Sequence, residues 1–117
     1  MELNEWYEKL LNKTISDYSI DDIAICMRHN IMNNEVFVLA LLEFSKDNDA
    51  GYQYDGEIFY QLIKANLENW KYHKGDLQNV FSYSNKILLN AKQKEKSEIE
   101  LWQNSVVAKY PDIRNKP

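Results

Sequence analysis

Two histidines, His29 and His73, are the residues of this sequence best suited to acid–base chemistry, because imidazole titrates near neutral pH. A pair of histidines can serve as general acid and general base in a ribonuclease. Such a site also needs lysines or arginines that clamp the phosphate, and none is patterned around either histidine. The sequence therefore favours two ordinary surface histidines over a nuclease site.

The sequence contains no pattern typical of a metal-binding or phosphate-binding site. Metal sites need clustered cysteine, histidine or carboxylate ligands, and this chain has one cysteine and two histidines. The three glycines form neither a dinucleotide-binding nor a P-loop pattern. Cys26 adjoins Met27 on an apolar segment, which is typical of a buried thiol rather than a nucleophile. We expect no catalytic residue, no metal and no cofactor.

The segment GYQYDG at residues 51–56 combines aromatic and acidic side chains. Tyrosine offers a large contact area with a hydrogen-bonding tip, which protein interfaces favour. The segment suits docking to a basic protein surface, and the alternative that its tyrosines hold the loop against the core stays open. The candidate partner-binding residues are Asp21, Asp49, Tyr52, Tyr54, Asp55 and Glu57.

Charge is divided unevenly along the chain. Residues 1–57 carry twelve acids and four bases, a net charge of −8, and residues 58–117 carry six acids and ten bases, a net charge of +4. The asymmetry indicates one face that attracts a cationic partner, unless folding mixes the two halves in space. Nucleic-acid binding is disfavoured, because acidic residues interrupt the lysines at positions 92, 94 and 96.

Helices are expected throughout, since three glycines and two prolines are too few for the turns of a sandwich or barrel. Apolar residues recur at helical spacing in six segments. The third is apolar around most of its circumference, which is typical of a central helix. We predict an all-α fold, a compact irregular bundle of about six helices in one domain spanning residues 1–117. The segments are 3–11, 20–31, 36–44, 58–70, 77–91 and 99–106.

Helix starts are indicated by two serines. Ser19 precedes the second segment, where its hydroxyl can accept a hydrogen bond from an amide near Asp22. Ser97 can cap the last helix, in which case residues 92–96 form a loop. The alternative is that residues 92–96 extend the preceding helix into solvent.

From residue 19 to about 58 the sequence resembles contact-dependent growth inhibition immunity proteins. The resemblance runs through residues 19–24 (SIDDIA), 27–31 (MRHNI), 40–41 (AL), 49–51 (DAG) and 54–58 (YDGEI). Its most specific part is the order AGxxYDGE, and together these elements cover roughly a third of the chain. Many of these positions are architectural, so toxin specificity is expected largely outside them.

The resemblance implies a non-catalytic, cytoplasmic protein that binds the C-terminal toxin domain of a cognate effector. The N-terminal MELNEWYEKL lacks the basic start and apolar core of a signal peptide. The longest apolar stretch, residues 36–42, is far shorter than the roughly 20 residues of a membrane helix. We expect no membrane, nucleic-acid or small-molecule partner.

The implied mechanism is occlusion of a toxin active site. Many such toxins are nucleases, which need a cationic cleft, and an acidic inhibitor surface mimics the nucleic acid and fills that cleft. Two other functions compete with this hypothesis. One is a generic helical adaptor, which differs only in its partner, and the other is a small histidine-dependent nuclease.

Overall fold

The computed structural model describes residues 8–10, 12–14, 17–29, 34–51 and 53–115. Across these residues the chain is helical and forms no strand. Residues 8–10 are α-helical, and five further α-helices follow, so the prediction of an all-α fold with about six helices is confirmed. These helices are α1 (Ile20–Arg28), α2 (Asn34–Lys46), α3 (Glu57–Lys64), α4 (Lys74–Leu88) and α5 (Gln93–Lys109), and two 3-10 helices span Leu67–Trp70 and Pro111–Asn115.

The chain divides into two compact units, Met1–Leu62 and Ile63–Pro117. Residues 58–62 carry no charge, so the first unit has the net charge of −8 and the second the net charge of +4. The uneven charge along the sequence is therefore a difference between two compact units. Two such units can belong to one domain or to two, so the single-domain assignment stays a prediction.

The first unit is built around the packing of α1 against α2. Phe44 of α2 stacks on Phe59 of α3, with ring centroids 6.3 Å apart. The expectation that α2 lies in the core is confirmed for one side of the helix, which is buried, whereas Val38 and Leu42 are 37% and 50% exposed. One side of α2 is buried in the core, and these two residues lie one turn apart on the other side.

The second unit has an aromatic core. The rings of Trp70 and Trp102 lie 6.3 Å apart, and those of Phe81 and Trp102 lie 6.0 Å apart. The Tyr110 hydroxyl donates a hydrogen bond of 2.8 Å to the carbonyl of Leu67, which joins the end of α5 to the first 3-10 helix. Trp70 and Trp102 are buried as their helical spacing predicts, whereas Trp6 lies outside the described residues.

Two helix boundaries differ from those expected. The segment 58–70 is α-helical only to Lys64, because the Asn66 side chain accepts a hydrogen bond from the amide of Glu68 and starts a separate 3-10 turn. The last helix begins at Gln93, four residues before Ser97, whose hydroxyl donates to the Gln93 carbonyl within the helix. Both alternatives for residues 92–96 are therefore wrong.

The start of α1 is a capping box, as the serine predicts. The amide of Asp22 donates to the Ser19 hydroxyl over 3.2 Å, and the Asp22 carboxylate accepts from the Ser19 amide over 3.0 Å. Lys13 adds a hydrogen bond of 2.8 Å to that carboxylate. Burial raises the pKa of Asp22. The hydrogen bonds from Lys13 and Ser19 together lower it by more than burial raises it, so this pKa lies below its ordinary value.

We predict that Asp22→Asn lowers the free energy of unfolding by about 1–2 kcal/mol at pH 7, because a charged hydrogen-bond acceptor is lost. A carboxyl group with a lowered folded pKa stabilises above its unfolded pKa, about 3.9, and loses this effect as the pH falls through the folded pKa. The difference in the free energy of unfolding between wild type and Asp22→Asn should therefore become smaller below about pH 4. Urea unfolding at several pH values measures it.

The matched control is Asp21→Asn, which removes an exposed carboxylate from the same helical turn. It should cost at most about 0.5 kcal/mol through the helix dipole. If Asp22→Asn lowers the free energy of unfolding by the same amount at pH 7 and pH 3, the stabilising role of the charged Asp22 carboxylate is contradicted.

Candidate functional site

The loop of residues 47–56, between α2 and α3, carries most of the candidate binding residues. Its backbone closes on itself through hydrogen bonds at both ends. The amide of Gly56 donates to the Asp49 carbonyl over 2.7 Å, and the amide of Ile58 donates to the Ala50 carbonyl over 3.1 Å. The amide of Glu57 donates to the Tyr54 carbonyl over 3.3 Å. Main-chain groups therefore set the shape of this loop.

Glycine is required at two positions of the loop. Gly56 has a φ of +85°, in the left-handed region where other residues are strained. At Gly51 a Cβ atom would lie 2.0 Å from the Tyr54 carbonyl oxygen, which is too close for any side chain. The order AGxxYDGE thus encodes a particular backbone path.

Glu57 anchors the loop from the interior. Its side chain is 1% exposed, and one carboxylate oxygen accepts a hydrogen bond of 3.1 Å from Nε of Arg28 at the end of α1. The other oxygen accepts a bond of 3.0 Å from the backbone amide of Gln53. A carboxylate held in this way joins α1, the loop and α3, and we leave it out of the surface proposed to contact a partner.

Asp49, Tyr54 and Asp55 are exposed together on this loop, and Tyr54 is 49% exposed. Tyr52 lies outside the described residues. Asp21 is also exposed, but it lies in the first turn of α1, whereas Arg28, which pairs with Glu57, lies in the last turn. Seven residues of helix separate the two, which is about 10 Å along the axis. Three of the candidate residues therefore share the loop, whereas Asp21 belongs to α1.

The first unit presents an excess of carboxylates to solvent. Three of its four basic residues pair with acids inside the unit, and two of those acids, Asp22 and Glu57, are buried. The pairs therefore neutralise mainly interior carboxylates and leave exposed ones in excess. Among its described residues the exposed acids are Glu8, Asp17, Asp21, Glu35, Asp47, Asp49 and Asp55.

The residues best suited to catalysis are divided between the two compact units. His29 is exposed at the end of α1, and His73 lies in the other unit, with Nδ1 3.8 Å from the Asp76 carboxylate. Cys26 is fully buried, and burial together with the charge of Asp22 raises the pKa of its thiol to about 11. The thiol is therefore protonated at neutral pH and a poor nucleophile.

The described residues offer neither a metal site nor a membrane-spanning helix. They contain no group of three histidine, cysteine, aspartate or glutamate side chains close enough to hold a metal ion. No described helix has both the length and the apolar character needed to cross a bilayer.

Arg28 is the residue that the sequence did not single out. It lies within the MRHNI element, but its partner is 29 positions further along the chain. The available signal was Glu57 itself, because a carboxylate beside Ile58 and Phe59 in an apolar helix needs a buried counter-charge.

The family of CDI immunity proteins, which act in contact-dependent growth inhibition, matches this chain over residues 1–80. That range includes the loop and both partners of the Arg28–Glu57 pair. Comparison with curated proteins and with solved structures finds no match in either set.

We predict that Glu57→Ala lowers the free energy of unfolding by about 3–5 kcal/mol, because it leaves a partly buried guanidinium without its counter-charge. Chemical denaturation monitored by circular dichroism measures this loss. The control is Asp55→Ala, two positions away and exposed, which should change stability by less than about 0.5 kcal/mol. Equal losses in the two variants would contradict an anchoring role for Glu57.

Two glycine substitutions should have opposite effects on stability. Gly51→Ala should cost about 1–3 kcal/mol, because its Cβ overlaps the Tyr54 carbonyl. Gly75→Ala should add about 0.5–1 kcal/mol, because Gly75 is in α4 and no atom lies within 4 Å of its added Cβ. Thermal unfolding midpoints that move in the same direction would contradict this assignment.

Proposed function

This chain belongs to the family of CDI immunity proteins, and we propose that it binds and blocks the toxin domain of one growth-inhibition effector without catalysis of its own. The proposal places this protein in the cytoplasm of the producing cell, where the delivered toxin acts. The observation that carries it is the acidic first unit, in which two of the four basic residues pair with buried acids and the surface keeps the excess carboxylates.

The proposed target is a nuclease toxin. A nuclease binds a polyanion, so its active-site cleft is cationic, and an acidic surface of an inhibitor is attracted to the same cleft. Charge of this kind accelerates encounter and orients the partners, and it adds less to the final affinity. The first unit has the sign of charge that such a cleft requires.

The loop of residues 47–56 supplies the proposed point of contact. Asp49 and Asp55 bring carboxylates, and the half-exposed Tyr54 between them brings an aromatic ring that can become buried in the complex. Tight complexes depend on a few buried aromatic anchors surrounded by polar groups. Because backbone hydrogen bonds already hold the loop, little conformational entropy is lost when it binds.

The test uses the toxin domain encoded by the gene directly upstream, with association followed by stopped-flow fluorescence. We expect the association rate constant to fall about tenfold or more between low and physiological salt. Asp55→Lys should slow association by about threefold or more, because a rim charge acts mainly on the encounter rate. The control Asp112→Lys makes the same charge change on an exposed residue of the second unit and should have a smaller effect.

Cell survival provides the second measurement. Co-expression of the wild-type chain with the toxin should restore growth. A rate constant that does not change with salt would overturn the electrostatic mechanism. Wild-type protein that neither binds nor protects, or that cleaves RNA unaided, would overturn the function itself.

A further inference from the structure

The second unit contains an apolar pocket with a volume of about 340 Å³. Ile63 and Leu67 form part of one side, and Leu101 and Trp102 of α5 form part of the other. A cavity of roughly 150 Å³ is enough to hold benzene, so this pocket has room for a large aromatic or aliphatic side chain. Its size and lining match those of pockets that receive an anchor residue.

The mouth of the pocket keeps a large apolar residue in solvent. Leu101 is 70% exposed, although Trp102 beside it is buried in the core of the same unit. An exposed leucine alone needs no explanation, but one that lines an apolar pocket adds to a continuous surface that a partner can cover.

Two opposite charges flank the pocket. Glu98 on α5 and Lys64 at the end of α3 both line it, and neither forms an ion pair within the part of the chain that the structure describes. An apolar centre with charges on its edge is the usual anatomy of a protein interface.

The pocket also lies where specificity is expected. The family match ends at residue 80, so the wall supplied by α5 lies entirely beyond it. Features shared by the family hold the loop in place, whereas selection of one toxin requires features particular to one chain.

We propose that this pocket receives a bulky apolar side chain of the toxin domain, with a basic toxin residue pairing with Glu98 and an acidic one pairing with Lys64. The proposal rests on the immunity function and adds a second contact to the acidic loop. The two proposed contacts act differently. The loop attracts the toxin by its negative charge, whereas the pocket stabilises the complex by burying an apolar side chain of the toxin.

The test compares two exposed leucines of the same unit. Leu101→Asp places a charge at the pocket mouth and should weaken binding of the upstream-encoded toxin domain about 30-fold or more, as loss of an anchor contact does. Leu89→Asp changes a leucine that is 83% exposed and does not line the pocket, and it should stay within about twofold of wild type. Calorimetric titration gives the affinities, and circular dichroism checks that both variants fold.

A second pair of variants tests the charges without altering the pocket wall. Glu98→Gln should weaken binding about three- to tenfold, whereas Glu100→Gln, exposed on the same helix and absent from the lining, should not change it. If the toxin binds wild type, Leu101→Asp and Glu98→Gln equally well, the pocket proposal is overturned and the immunity function stands. A pocket that serves a small molecule gives this same result. If the toxin does not bind wild type, the immunity function fails and the pocket proposal fails with it.

Discussion

A carboxylate inside the first unit is the constraint on which the candidate site depends. Glu57 is buried at the start of α3, and an ionised carboxylate in such a place is tolerated only with a counter-charge and hydrogen-bond donors. Arg28 provides the charge and the Gln53 amide provides a donor. Because these two groups come from α1 and the loop, the same bonds that satisfy the carboxylate also fix the loop relative to two helices.

This arrangement links interior electrostatics to the charge of the surface. The first unit has few basic residues, and Lys13 and Arg28 are both held by buried acids. They therefore do little to offset the exposed carboxylates. A chain with the same composition but with its bases paired to surface acids would present a more neutral face. Because two acids are buried, the surface of the first unit differs more in charge from the basic second unit, and no additional charged residues are needed.

Most of the fold follows from local sequence patterns, and each error has an identifiable physical cause. Helical spacing and scarce breakers give the all-α class, and Ser19 gives the start of α1. The end of α3 was misplaced because the asparagine cap at Asn66 competes with an apolar spacing that continues to Trp70. The exposure of Val38 and Leu42 depends on which side of α2 meets its neighbours, which periodicity cannot decide in an apolar helix.

The candidate site was predictable in part. Loop residues Asp49, Tyr54 and Asp55 are exposed, as expected of a polar segment between helices. Glu57 is also a carboxylate, and the sequence alone does not distinguish it from the exposed acids of the loop. It is the first residue of a helix whose next residues are buried, and its partner is distant in sequence. The apolar pocket was not predicted from the sequence, because a cavity lies in the gap between elements and no single segment encodes it.

The way in which the loop is closed has a consequence for how such proteins diversify. Its hydrogen bonds use the carbonyl oxygens of Asp49, Ala50 and Tyr54, and every amino acid supplies a carbonyl. Side-chain identity matters at the two glycines, at the buried Glu57 and at Asp47, whose carboxylate accepts a hydrogen bond of 3.0 Å from the Asp49 amide. The exposed side chain at position 55 can therefore be exchanged while the backbone path is retained. Under the proposed function, a lineage that meets an altered toxin can change the proposed contact surface by point substitution, with no need to evolve a new scaffold.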